Sequence, residues 1–279
     1  MRNLLSAGFV RLWRCKMLWL SSLFLAGITV TAIWTRYSEG LKYGFRSSLD
    51  SAFAYYAAFI AFLIPVVCTM FIGVEYSDGT IRNKMICGHR KDSVYLSNLI
   101  PCCVGSLIMC TAAVVPGLCV GLPLLGSFEM GRTRIALFFI AVYALALAWT
   151  SLFTLLTMLF GSRTVSSVAA LQLLLSLTLL AAGTHLSNRL DAEPTIRSYS
   201  LNMDGEIVAA EEAPNPAYLP DGPVRDVFRF LYDFTPSGQT IQLVELAAKH
   251  PVKLAGYDAV FFFLTTGAGL ALFRRKDLK

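Results

Sequence analysis

Long apolar runs divide this chain, and each is long enough to cross a lipid bilayer. A helix rises about 1.5 Å per residue, so about 20 apolar residues cross the roughly 30 Å hydrocarbon core. The pattern predicts an all-α polytopic membrane protein, built as a single transmembrane domain over residues 1–279. The six predicted spans lie at about 17–35, 51–74, 94–125, 135–160, 165–187 and 256–273.

The third apolar run is longer than one straight crossing requires. It contains Pro101, Pro116 and Pro123, and proline removes a helical hydrogen bond and is expected to kink or end a helix. Residues 94–125 are therefore either one helix or a span followed by a partial re-entry. A tight turn is predicted at 161–164, between the fourth and fifth runs.

Two segments outside the spans have amphipathic patterns. Residues 1–16 carry apolar and basic positions at helical spacing, which predicts an interfacial helix in front of the first span. Residues 188–255 form a long polar segment. Its part 189–224 is rich in Pro, Gly, Asp and Glu and is predicted to be irregular. Its part 225–248 contains two short helical patterns, broken at 235–238, which are expected to lie on or dip into the outer leaflet.

Composition and charge support a membrane protein and indicate its orientation. Hydrophobic residues make up 56% of the chain and charged residues 15%, against about 25% charged in a soluble domain. The net charge is +6, but the basic residues flank the apolar runs, which favours membrane contact over nucleic-acid binding. With the N-terminus inside, the short inner segments hold thirteen Lys and Arg against five outside. We expect a cell-membrane protein with both termini cytoplasmic and residues 188–255 extracytoplasmic.

The sequence offers no catalytic or metal-binding pattern. None of the seven cysteines has zinc-finger spacing, and they are interpreted as small buried apolar residues. A phosphate-binding loop is absent, as are the metalloprotease and serine-hydrolase motifs. We therefore predict no catalytic, cofactor-binding or metal-binding residue, and we do not expect an enzyme.

A few polar residues fall within or at the ends of the predicted spans. Ionisable groups at membrane depth are functional candidates by default. Gln172 lies in the fifth run, His185 near the outer end of that run, and Asp258 at the start of the sixth. They are candidates for a substrate pathway, although His185 and Asp258 are expected to be close enough to the outer interface to be hydrated.

The polar stretch between the second and third runs carries most of the functional information. Glu75 follows the second run, and Gly79 is a turn residue. Thr80 can cap a helix that begins there, and Gly88 can end it. Arg90 adds positive charge after this end, where the helix dipole favours it.

This short helix is predicted to be amphipathic. Ile81, Met85 and Ile86 are expected on one face, with Arg82 and Lys84 on the other side. A short rigid helix held between two spans could transmit a push from a cytoplasmic partner, or it could be an ordinary interfacial loop. Glu75 could pair with Arg82 or with a cation of a partner, or accept a hydrogen bond from nearby backbone amides, in a structural role or a coupling role.

The same stretch resembles the cytoplasmic segment of type-2 ABC transporter permeases, the subfamily of antibiotic-peptide and bacitracin-resistance permeases. The matching positions are Glu75, Gly79, Thr80, Arg82, Gly88, Arg90 and Tyr95–Ser97. Asn98 departs from the pattern, since Lys is common there. The residues that this resemblance assigns to ATPase coupling are Glu75, Gly79, Thr80, Ile81, Arg82, Met85, Gly88 and Arg90.

The resemblance implies an architecture and a set of partners. It implies six spans, an N-terminal interfacial helix, a cytoplasmic coupling helix and short re-entrant helices before the last span, where 232–243 is similar. It implies a permease dimer, with a second copy or a paralogue, in the lipid bilayer. ATP and Mg would be bound by separate cytoplasmic ABC ATPase subunits, and the substrate would be a peptide-like or amphipathic molecule, such as an antimicrobial, moved outward.

Three other functions are compatible with a polytopic chain. An ATPase-independent secondary transporter or channel is the main alternative, but no internal repeat or central charge supports it. An intramembrane protease needs paired catalytic groups that we do not find. A membrane scaffold or peptide sensor would bind through the outer segment.

Overall fold

The computed structural model describes residues 1–44, 48–50, 55–160, 165–197, 200–201, 207–208 and 212–276. Helices dominate these residues, as the sequence predicts, and the fold is all-α apart from two small ribbons. The ten helices of the described residues are α1 (Arg2–Arg14), α2 (Lys16–Tyr43), α3 (Tyr56–Ser77), α4 (Thr80–Ile86), α5 (Lys91–Leu125), α6 (Arg132–Phe160), α7 (Val165–Leu190), α8 (Pro223–Phe234), α9 (Pro236–Val244) and α10 (Pro251–Arg275).

Six of these helices, α2, α3, α5, α6, α7 and α10, are long and apolar enough to cross a membrane. They correspond one to one with the six predicted spans. Most are longer than the apolar runs, because a helix continues past the hydrocarbon boundary until a residue stops it. The first span shows this best: it was predicted to end at residue 35, but α2 continues to Tyr43 and stops at Gly44, whose φ is 71°. The predicted turn at 161–164 and the predicted start of the second span at 51 lie outside the described residues.

The proline-rich third run is one continuous helix, α5, of 35 residues. Pro101, Pro116 and Pro123 all lie inside it, so none of them ends it. Each proline removes one backbone hydrogen bond without breaking the helix, which neighbouring helices can tolerate in a membrane protein. The alternative of a span plus a partial re-entry is wrong.

The segment 189–224, predicted to be irregular, contains short strands. Strand β1 (Thr195–Arg197) pairs antiparallel with β4 (Glu212–Pro214). Strand β2 (Ser200–Leu201) pairs antiparallel with β3 (Ile207–Val208). The strands are only two or three residues long, too short for a period-two pattern to be visible in the sequence.

The core lies between the spans. Helix α3 packs against α6 and α7 and is the most enclosed of the six, while the pairs α2–α5 and α6–α10 make the most extensive contacts. Trp149 of α6 is fully buried, stacks on Phe153, and donates to the Thr240 hydroxyl of α9 at 3.2 Å. Helix α9 is thus held inside the bundle, whereas α8 has no buried residue.

Candidate functional site

One end of the bundle gathers the elements that the sequence singled out. We call it the basal end: it contains α1, α4, the ends of α3, α6 and α10, and the starts of α5 and α7. The predicted interfacial helix is α1, and the predicted short helix is α4. Charged side chains join most of these elements to one another, and the side chain of Glu75 is the most enclosed of these charged groups.

Glu75 lies in the last turn of α3, and its side chain is 2% exposed. Its Oε1 accepts hydrogen bonds from Arg11 of α1 and from Lys84 of α4. Its Oε2 accepts from the Asn98 side-chain amide of α5 at 2.9 Å. We call these four residues the Glu75 cluster. One carboxylate thereby joins four helices, and two cations compensate its burial.

Arg11 makes further contacts with α3. Its guanidinium donates to the Phe71 carbonyl at 2.7 Å and lies 4.7 Å from the centre of the Phe71 ring. These contacts fix α1 against the end of α3. Gly8 allows α1 to lie close to α5 as well, since a Cβ at Gly8 would lie 3.1 Å from the Ser97 carbonyl oxygen of α5.

Glu75 does not pair with Arg82, which was one of the alternatives that the sequence left open. Arg82 is exposed and forms no ion pair with any described residue, and the cations come from Arg11 and Lys84 instead. Lys84 turns inward because it lies on the side of α4 that faces the end of α3. Asn98, which departs from the resembled pattern, donates a hydrogen bond to Glu75 from that position.

Helix α4 is held in place by glycines at both ends. Gly79 has φ 65° and takes the N-cap position that was predicted for Thr80, which is the first residue of the helix. Gly88 has φ 83° and follows the C-cap residue Cys87. Both conformations lie in the left-handed region that favours glycine. The chain can therefore turn sharply into and out of α4. Arg90 is the N-cap residue of α5.

The predicted apolar face of α4 divides into two. Ile81 is 2% exposed and Met85 packs against the core, so these two face the protein itself. Ile86 is 74% exposed, because its position is rotated by about 100° from Met85. Its exposed neighbours on the outer surface are Arg82 and Asn83. We call Arg82, Asn83 and Ile86 the outer face of α4.

The C-terminal end of α10 is bound to α5 and α6 next to the Glu75 cluster. Arg274 makes two hydrogen bonds to Asp92 of α5, at 2.6 and 2.9 Å. Lys91 donates to the carbonyls of Arg274 and Lys276, both at 2.8 Å. Lys276 is half-buried and donates to the Met158 carbonyl of α6 at 2.9 Å, and burial lowers its pKa below the usual range. These contacts tie the last span to α5 and α6.

The three intramembrane candidates have separate environments. Gln172 is 2% exposed; its Oε1 accepts from Thr69 at 2.6 Å and its Nε2 donates to Thr157 at 2.8 Å. It therefore joins α3, α6 and α7. His185 is exposed, and Asp258 is 1% exposed. The expectation that Asp258 is hydrated was wrong, because α10 packs closely against α6.

Among the residues that the structure describes, no three His, Cys, Asp or Glu side chains gather to hold a metal ion. The seven cysteines are free, and five of them are buried or half-buried. The fold and the Glu75 cluster define an all-α, multi-pass membrane protein. No known family model matches the chain, and no curated protein matches it either.

Proposed function

We propose that this chain is the membrane-spanning permease subunit of an ATP-driven ABC exporter. The observation that carries the proposal is the Glu75 cluster, which fixes α4 to three other helices while the outer face of α4 stays exposed. A short helix fixed in this way moves together with the ends of the spans. A cytoplasmic ATPase that binds the outer face could therefore move the spans through Glu75, Lys84 and Arg11.

The proposed orientation follows from the basic residues. The basal end holds the segments 1–16, 75–93 and 274–276, which carry 11 of the 18 Lys and Arg of the short segments. It would face the cytoplasm, with α8, α9 and the β-ribbons at the extracytoplasmic end. The chain would work with a second copy or a paralogue, and the ATPase subunits would bind ATP and Mg. An amphipathic or peptide-like substrate, moved outward, fits this class of exporter.

The outer face of α4 supplies the test. We expect Ile86→Asp to reduce co-purification of an ATPase from the native host at least tenfold, because a carboxylate replaces the exposed apolar side chain at the contact. The matched control is Ile196→Asp, which changes another exposed isoleucine at the opposite end of the molecule. It should leave the ATPase bound.

Two results would contradict the proposal. One is an Ile86→Asp variant that retains both the ATPase and transport. The other is a wild-type chain that transports its substrate in vesicles without any bound ATPase, which would support the secondary-transporter alternative.

A further inference from the structure

An apolar groove of about 620 Å³ runs between α2 and α5 on the outside of the bundle. Leu23 and Val115, one on each helix, line it and are 71% and 51% exposed, so the groove opens toward the surrounding membrane. The two hydroxyl groups that line it, on Ser22 and Thr111, both donate at 2.8 Å to carbonyls of their own helices. The groove is therefore suited to a hydrocarbon chain.

The length and position of the groove match one leaflet of a bilayer. Along α5 it extends from Val104 to Pro116, which is about 18 Å at 1.5 Å per residue. One leaflet contributes about 15 Å, half of the roughly 30 Å hydrocarbon core. The groove begins where α1 ends, because Gly105 of α5 packs against Leu12 of α1. It therefore lies in the leaflet on the basal side.

Two tryptophans form the basal mouth of the groove. The rings of Trp13 and Trp19 stack with 5.4 Å between their centres, and the Trp19 indole N–H donates to the Trp13 carbonyl at 2.9 Å. Both side chains are exposed, at 58% and 45%. Exposed tryptophan favours the boundary between hydrocarbon and headgroups. The mouth is thus expected at the level of the lipid headgroups.

Positive charge flanks this mouth. Arg14 follows Trp13 directly, and Lys16 precedes Trp19 by three positions, which places Lys16 and Trp19 on the same side of α2. Both basic side chains are exposed, and neither pairs with a carboxylate of the described residues. Glu39 is the first acidic residue of the chain. A phosphate at headgroup level can supply the counter-ion that the neighbouring sequence lacks.

We propose that the groove, with Arg14 and Lys16 at its mouth, is a binding site for an anionic phospholipid of the basal-side leaflet. One acyl chain would lie along the groove, and the phosphate would accept hydrogen bonds from the two cations. A zwitterionic lipid would gain the same apolar contacts, but its own ammonium group already compensates its phosphate. The inference goes beyond the proposed function and concerns the chain and its bilayer alone, so it stands whether or not an ATPase partner exists.

The test measures tryptophan quenching by dibrominated lipids in phosphatidylcholine vesicles that contain the full chain. Trp34→Phe is the background variant, because it removes the exposed tryptophan near the other end of α2, while Trp149 is fully buried. Quenching by lipid then reports on Trp13 and Trp19. We expect dibrominated phosphatidylglycerol to bind about fivefold more tightly than dibrominated phosphatidylcholine.

Variants separate the contribution of charge from that of shape. Arg14→Gln combined with Lys16→Gln should abolish the preference for phosphatidylglycerol. The matched control, Arg132→Gln combined with Arg229→Gln, removes two exposed cations at the opposite end and should keep the preference. Ala112→Leu fills the groove but leaves both cations in place, and it should weaken the binding of phosphatidylglycerol.

Equal binding of the two lipids by the chain would overturn the proposal. So would a preference that survives Arg14→Gln with Lys16→Gln, or competition by soluble glycerol phosphate, since a free anion would then be the ligand. A second copy of the chain is the other occupant to test. If Ala112→Leu dissociated a dimer in mild detergent and left the lipid preference unchanged, the groove would belong to that copy.

If the double variant fails to fold, salt decides the question on the unaltered cations. Attraction between exposed charges is screened as the ionic strength rises. The preference for phosphatidylglycerol should therefore fall between 0.1 M and 1 M sodium chloride, where the Debye length shrinks from about 10 Å to about 3 Å. A preference that salt does not reduce would contradict the site.

Discussion

Glu75 places one negative charge where three donors from three helices converge. A neutral amide at this position would keep the shape of the side chain, but its NH₂ group would face donors, and Arg11 and Lys84 would lose their counter-ion. Arg11 is 32% exposed and Lys84 is 15% exposed, so water can compensate them only in part.

We therefore expect Glu75→Gln to lower the free energy of unfolding by about 1–3 kcal/mol. Denaturant titration in mild detergent measures it. Glu39→Gln is the matched control, because the Glu39 side chain is 47% exposed and pairs with Arg36 at 3.5 Å. An exposed pair of this kind contributes little. If Glu75→Gln were as stable as the wild type, the Glu75 charge would not stabilise the fold through Arg11 and Lys84.

Tyr232 connects α8 to α7. Its hydroxyl donates to Ser187 at 2.9 Å, and burial raises the pKa of Tyr232 to about 12 from an ordinary value of 10.0. The folded state thus holds this proton more tightly than the unfolded state does. The resulting stabilisation is complete below about pH 10 and is lost as the pH rises toward 12.

Ionised tyrosine absorbs at 295 nm, so this absorbance is recorded for the wild type and for Tyr232→Phe as the pH is raised. The difference between the two curves should have its midpoint near pH 12. Phenylalanine keeps the ring but removes the ionisable hydroxyl, so the difference isolates this one residue. A midpoint near pH 10 would show that the hydroxyl is solvated and that α8 does not hold Tyr232 against α7.

At the scale of elements, close helix contacts depend on particular glycines. Gly269 of α10 is buried against the side chain of Tyr95, and a Cβ there would lie within 3.0 Å of the Tyr95 hydroxyl oxygen and of two atoms of its ring. Tyr95 is fully buried, so its ring has little room to move. Gly267, two residues earlier on the same helix, has nothing within 4 Å of an added Cβ.

The two glycines allow a comparison within one helix. Gly269→Ala should lower the free energy of unfolding by about 1–3 kcal/mol, as overpacked cores do. Gly267→Ala should be neutral or up to about 1 kcal/mol more stable, because alanine favours helix. Thermal unfolding followed by tryptophan fluorescence would rank the two variants. A Gly269→Ala variant as stable as Gly267→Ala would show that α5 and α10 do not pack so closely.

The apolar runs were sufficient to predict the helices, because each span must satisfy its backbone hydrogen bonds within itself. The contacts between spans were not predictable in the same way. Glu75 was recognised as a candidate, but its pairing with Arg11 depends on how α1 lies against α3, which no local pattern encodes. The burial of Asp258 depends in the same way on the contact between α6 and α10.

For the whole molecule, the native cysteines allow the proposed orientation to be tested. Cys87 follows α4 at the basal end and is exposed, whereas the other exposed cysteine, Cys119, lies within the span α5. In intact cells a membrane-impermeant maleimide should not label Cys87, and permeabilisation should expose it. Glu193→Cys, at the opposite end, should be labelled without permeabilisation. Labelling of Cys87 in intact cells would reverse the orientation.

The paired helices α2 and α5 also bear on how the molecule could be imaged. Helix α5 is about 52 Å long and α2 about 42 Å, while the hydrocarbon core is about 30 Å thick. Their far ends meet around a cavity of about 610 Å³ that Arg36, Gly40 and Leu125 help to line. Both helices are therefore longer than the bilayer is thick, and their far ends would extend past it. An antibody fragment raised against these helix ends would give electron microscopy a landmark for aligning a small protein that otherwise lies mostly within its micelle.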